Sequence, residues 1–107
     1  GVYQVVAVES GARCSLSAQC QTITEGGGKR KGDNTCRIGI DPTGGVDPES
    51  SDIVWSEAIE SERKWSPIAV DARALTERVT IFVHHQMRRA NTWNLTVIDD
   101  VQLSVEE

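Results

Sequence analysis

The chain has 107 residues, with 11 Lys and Arg against 16 Asp and Glu, a formal net charge of −5, 38% hydrophobic residues and 25% charged residues. That length suits one domain burying roughly 65% of its unfolded surface, and the composition is not that of a disordered chain. No apolar run nears the ~18 residues of a membrane-spanning helix, and the negative charge argues against nucleic acid as the main partner.

The chain opens at Gly1 inside a strand-like run, without a methionine, a basic leader or an apolar signal segment, as expected of a processed product or a fragment. Apolar residues recur with a period of two almost throughout, which predicts strands. Residues 2–8 form a β-branched run that ends at Ser10-Gly11. Over 14–20 the alternation puts Cys14, Leu16, Ala18 and Cys20 on one face and Ser15, Ser17 and Gln19 on the other. Cys36, Ile38 and Ile40 alternate with Arg37 and Gly39, and further strands are expected over 52–56, 65–71 and 78–84. At the end, Trp93, Leu95 and Val97 share one face; after Asp99-Asp100, Val101, Leu103 and Val105 share one face.

Between these runs the connections are polar. Gly26-Gly27-Gly28 followed by Lys29-Arg30-Lys31 reads as a hairpin tip, because the flanking strands match in length and pattern. Residues 56–64 contain only Ala58 and Ile59 as apolar residues, so they form a polar loop without a packing face. About seven short strands with hairpin-length connections predict a single all-β domain over 1–107, an antiparallel β-sandwich.

The most distinctive segment is Gly39-Ile40-Asp41-Pro42-Thr43-Gly44-Gly45-Val46-Asp47-Pro48. It reads as a strand ending in an Asp-Pro turn, with a second turn opening at Asp47-Pro48. From 38 to 62 there are seven carboxylates and no Lys or Arg, a formal −7 that exceeds the net charge of the whole chain. Basic residues stand apart from it, at 29–31 and at Arg88-Arg89.

Three features resemble bacterial extracellular jelly-roll modules of the carbohydrate-binding type. They are the Gly-Val-Tyr-Gln-Val strand at 1–5, the stretch from Gly39 through Val54-Trp55-Ser56, and then Trp65, the Val-Thr-Ile-Phe-Val strand at 79–83 and the closing strand over 94–105 with Ile98-Asp99-Asp100-Val101-Gln102-Leu103. The resemblance implies a jelly-roll-like sandwich that is extracellular or at the cell surface. Such modules carry further strands ahead of the Tyr strand, so it also implies an incomplete sandwich completed by another segment or chain. Asp99-Asp100 is similar to the C-terminal Asp of those modules that helps hold a structural calcium, and calcium takes six to eight oxygens. The alternative for this pair is an exposed turn or bulge, and for Asp41 and Asp47 turn formation outweighs cation binding.

Cys14, Cys20 and Cys36 fit no zinc spacing. Cys14 and Cys20 lie too far apart along one strand to bridge. This leaves a Cys20–Cys36 disulfide, with Cys14 free or bonded to another chain, or three reduced core residues. His84 and His85 are adjacent strand residues that point to opposite faces, so they do not chelate together. Trp55 and Trp65 fall at apolar strand positions and read as core.

For a ligand site, Trp93, Arg88, Gln86 and Asn91 combine an aromatic face with planar hydrogen-bonding groups, the set that sugar recognition uses. The competing reading of that segment is a solvated loop anchored by Trp93. No nucleophile elbow, phosphate loop or metalloprotease motif is present, and Glu57, Glu60 and Glu62 belong to the polar loop, so catalysis is not expected. The sequence thus predicts a non-catalytic module that binds glycan or acts as an accessory. The alternative is a structural subunit of a filament or surface assembly, held to other chains by strand exchange and charge-complementary contacts.

Overall fold

The computed structural model describes residues 2–25, 34–87 and 93–106, without the side chains of 24, 25, 87 and 93–95. The described residues form seven strands and no helix: β1 (Val2–Ala7), β2 (Arg13–Glu25), β3 (Asn34–Asp41), β4 (Val54–Trp55), β5 (Ser66–Arg73), β6 (Arg78–Met87) and β7 (Trp93–Glu106). They make two antiparallel sheets, one in the order β1-β6-β3-β4 and the other β5-β2-β7. The expected all-β sandwich is therefore what forms, and no helix among the described residues is long and apolar enough to cross a membrane.

The alternation in β2 places Cys14, Leu16, Ala18, Cys20 and Thr22 inward, all buried. Across the core they meet Cys36, Ile38 and Ile40 of β3, joined by Ile68 of β5 and Val79 of β6. Cys20 and Cys36 form a disulfide, and it links the two sheets. The Gly-rich segment is accordingly not a hairpin tip, since β2 and β3 lie in opposite sheets. A hairpin and an inter-sheet connection have the same alternating flanks. What separates them is that inward faces oppose one another here, as the disulfide requires. Cys14 is buried and unpaired, and burial pushes its thiol pKa up.

The polar stretch after β4 is a strap between sheets. Ile59 exchanges backbone hydrogen bonds with Cys36 of β3 at 2.9 Å each way. Thr22 of β2 donates its N–H to Ser61 at 2.9 Å and accepts the Arg63 N–H at 2.8 Å, while its hydroxyl accepts the Ser61 N–H at 3.0 Å. One side of the sandwich is closed in this way.

β7 is one continuous strand with a bulge in it. Its register on β2 shifts between Ser17 and Gln19, and Asp100 there adopts a positive φ of 54°. This bulge changes parity, as an extra residue in one strand does. Ile98 pairs with Cys20 and faces inward; past the bulge Leu103 pairs with Leu16 and also faces inward, whereas Val97 opposes the outward Gln21.

Candidate functional site

The sheet β1-β6-β3-β4 uses both faces. Its inward side carries Ile38, Ile40 and Val79, yet Phe82, Thr80 and Asp41 on the outward side are buried as well. What covers the outward side is the acidic loop between β3 and β4. Asp41 holds its start, its Oδ1 accepting hydrogen bonds from the Thr43 N–H at 2.8 Å and the Thr43 hydroxyl at 2.6 Å. Asp47 Oδ1 accepts the Glu49 N–H at 2.9 Å and sets the second turn. Both aspartates thus act as turn formers, as the Asp-Pro spacing predicts.

Beside this loop an aromatic rung crosses all four strands. The ladders align Tyr3 with Phe82, Phe82 with Gly39 and Gly39 with Trp55. The Tyr3 and Phe82 ring centroids are 5.9 Å apart, and those of Phe82 and Trp55 6.0 Å, both tilted. Tilted rings at this spacing match the preferred geometry of quadrupolar aromatics. In the next rung Arg37 pairs with His84, and the Arg37 guanidinium carbon lies 3.8 Å from the Trp55 ring centroid. Arg37 Nε donates to His84 Nδ1 at 3.2 Å, so His84 accepts there and carries its neutral-state proton on Nε2. Burial, then the nearby Arg37 charge, holds the His84 pKa below the ordinary value of 6.5.

These groups line an open groove of about 520 Å³, walled by Val46, Pro48 and Glu49 of the acidic loop and by Val2, Tyr3, Arg37, Trp55, Phe82 and His84. Tyr3 is 55% exposed there. Arg37 has no carboxylate partner among the described residues, so its terminal N–H groups remain available beside the stacked indole. A depression of about 590 Å³ among Thr43, Thr76, Glu77 and Arg78 has no aromatic group to grip a ligand. The chain matches no protein-family model and no curated protein.

Of the residues singled out from sequence, only some are described. Arg88 and Asn91 lie outside the described residues, as does the side chain of Trp93, which opens β7 opposite Glu25. Gln86 is exposed near the end of β6, opposite Thr35. Lys29-Arg30-Lys31 also lies outside the described residues. Asp99 and Asp100 sit exposed at the β7 bulge, where Asp99 Oδ1 accepts the Asp100 N–H at 2.8 Å. Among the described residues no third acidic, His or Cys side chain joins them.

The two tryptophans read as core are not between the sheets. Trp55 is half-buried on the outward face, and Trp65, 48% exposed, precedes β5 at the surface. Tyr3, Arg37, Phe82, His84 and Glu49 went unnoticed in sequence as a group. The available signal was the alternation itself, since Tyr3, Arg37, Phe82 and His84 occupy the non-core parity of their strands.

Proposed function

We propose that the chain is a non-catalytic, extracellular carbohydrate-binding module whose ligand site is the groove on the outward face of β1-β6-β3-β4. The observation that carries this reading is a groove that holds both the exposed Tyr3 ring and an Arg37 that is stacked on Trp55, tethered to His84 and free of any described carboxylate. A sugar ring presents an apolar C–H face to an aromatic and a rim of hydroxyls to fixed polar groups. Tyr3 offers the first, while Arg37 as donor and Glu49 as acceptor offer the second. A cleft of this openness suits a segment of a polymer more than a small molecule engulfed whole. The disulfide supports an oxidising, extracellular setting.

Affinity gel electrophoresis over a panel of neutral and acidic polysaccharides tests the reading. At least one polysaccharide should retard the chain, with Tyr3→Ala and Arg37→Gln each weakening retention by about tenfold, near 1.4 kcal/mol. Trp65→Ala, altering an exposed indole outside the groove, should leave it intact. No retention by any member of the panel, or retention lost equally in all three variants, rejects the groove as a glycan site.

A further inference from the structure

The two sheets differ by one strand, and the difference falls at one place. Across the core β3 packs on β2, with lesser contact to β5 and β7, and β4 packs on β5. β1 has its packing on β6 and no comparable contact across the core. The position facing β1 is therefore the one beside β7, whose other edge pairs with β2. The strap at 56–65 closes the opposite side of the sandwich, between β4 and β5, and none of the described residues does so here.

Apolar side chains along this gap point inward yet stay exposed, with Gln4, His85 and Thr96 as polar members of the same lining. By register Val2 shares the inward face with Val83 but is 67% exposed. Val101 and Val105 share the inward parity of Leu103 and are 41% and 39% exposed. A cavity of about 220 Å³ opens between Val2, Val83 and His85 on one wall and Thr96 and Ile98 on the other. Beside it runs the backbone edge of a 14-residue strand that pairs with no other strand among the described residues, the arrangement that accepts strand addition.

We propose that the β1–β7 side is a strand-docking groove for an extended segment of a partner polypeptide, one that alternates apolar residues with Lys or Arg and pairs along the free edge of β7. The alternate apolar residues fill the gap under β1, because successive strand side chains point to opposite faces. The cationic residues follow from charge. β7 carries Asp99, Asp100 and Glu106 and no Lys or Arg. Self-pairing of two β7 strands would set these carboxylates against one another, and like charges on adjacent strands destabilise. A basic strand is favoured over a second copy on that ground. This docking does not depend on the glycan reading, whose polar and aromatic groups Tyr3, Arg37 and Glu49 lie on the opposite side of the sheet, although Val2 at the sheet edge borders both sites.

The test uses the whole chain and two fluorescent peptides of about eight residues, a typical strand length, one alternating Val with Lys and the other Val with Glu. The Val/Lys peptide should bind in an anisotropy titration, with the Val/Glu peptide about tenfold weaker or more. Val101→Gln combined with Val105→Gln should abolish binding, and Asp99→Asn with Asp100→Asn should narrow the gap between the peptides. Should the double Gln variant fail to fold by circular dichroism, Val101→Thr replaces it, with a several-fold loss expected. Absence of Val/Lys binding, equal binding of both peptides, or binding that survives the inward substitutions overturns the proposal. So does sedimentation showing a dimer that excludes the peptide, which would make a second copy the occupant. Exchange protection of the β7 edge amides in the free monomer would mean that the chain covers its own edge, and overturns it equally.

Discussion

Gly39 and Trp55 are directly opposed in the β3–β4 ladder, and the indole occupies the space that a side chain at 39 would need. A Cβ at 39 would lie 2.6 Å from Trp55 Cε3 and 2.9 Å from Ile53 Cγ2. The backbone there is ordinary strand, so the requirement for glycine is close approach and not conformation. Gly39→Ala should cost about 1–3 kcal/mol by overpacking. It should also shift tryptophan emission as the ring is displaced from beneath Arg37. Denaturant melts followed by fluorescence check both, and an unchanged midpoint and spectrum would show that the indole has room to move.

The Arg37–His84 pair makes the groove sensitive to acid. Burial first, with Arg37 and His85 adding repulsion, holds His84 below its usual pKa of 6.5, and burial does the same for His85. An unfolded histidine then takes up its proton at a higher pH than the folded one. Stability is complete above about pH 6.5 and declines as the pH falls toward the lower folded values. Protonation at Nδ1 also removes the acceptor that tethers Arg37. Between about pH 7.5 and about pH 5.5 the melting temperature should fall, and His84→Gln should flatten part of that slope. Calorimetry at the two pH values decides it; a flat profile in the parent chain, or an unaltered slope in the variant, contradicts the assignment.

Cys20 and Cys36 are separated by 16 positions and tie the two sheets together. Closing a loop of that size contributes about 3 kcal/mol in the chain-entropy account. Replacing both with Ala should lower stability by roughly that amount, or more where the buried volume is not refilled. Cys14 should resist alkylation in the native chain and react after denaturation, because it is buried and its thiol pKa is raised. Mass spectrometry under the two conditions reads this directly.

Asp41 holds the first turn of the loop that walls the groove, and it is only 1% exposed. Its second carboxylate oxygen has no hydrogen-bond partner among the described residues, and the same holds for the hydroxyl of Thr80, its neighbour across the β3–β6 ladder. Asp41→Ala removes two accepted hydrogen bonds and relieves one unpaired buried oxygen. The net loss should be about 1–2 kcal/mol. Faster proteolysis within 42–53 should accompany the loss of stability, and a loop that stays equally resistant would show that Asp47 and Ile53 hold it alone.

Much of the fold was legible in the alternation. The runs at 2–8, 14–20, 36–40 and 78–84 each sit inside an observed strand or within a residue or two of one, because one face of each is buried and the period of two records this. The Cys20–Cys36 pairing was among the arrangements the spacing allowed. The connection between β2 and β3 was not legible, since a hairpin and a crossing between sheets leave the same pattern in the flanks. Nor was the groove. Tyr3, Arg37 and Phe82 lie 34 and 45 positions apart in the chain, and only the pairing of β1 and β3 with β6 brings them together.

What the sequence alone determined about this protein is its class and its local turns: an all-β domain, with Asp41 and Asp47 each bonding a backbone N–H two residues on. These depend on interactions within a few residues, which composition and spacing encode. The tertiary structure decided which faces meet. It turned an apolar tryptophan outward over Gly39, buried Phe82 on the side of the acidic loop, and left the inward valines of β7 partly uncovered among the described residues. Strand order assigns those outcomes, and it arises from the summed burial of all seven strands, so no single segment carries a record of it.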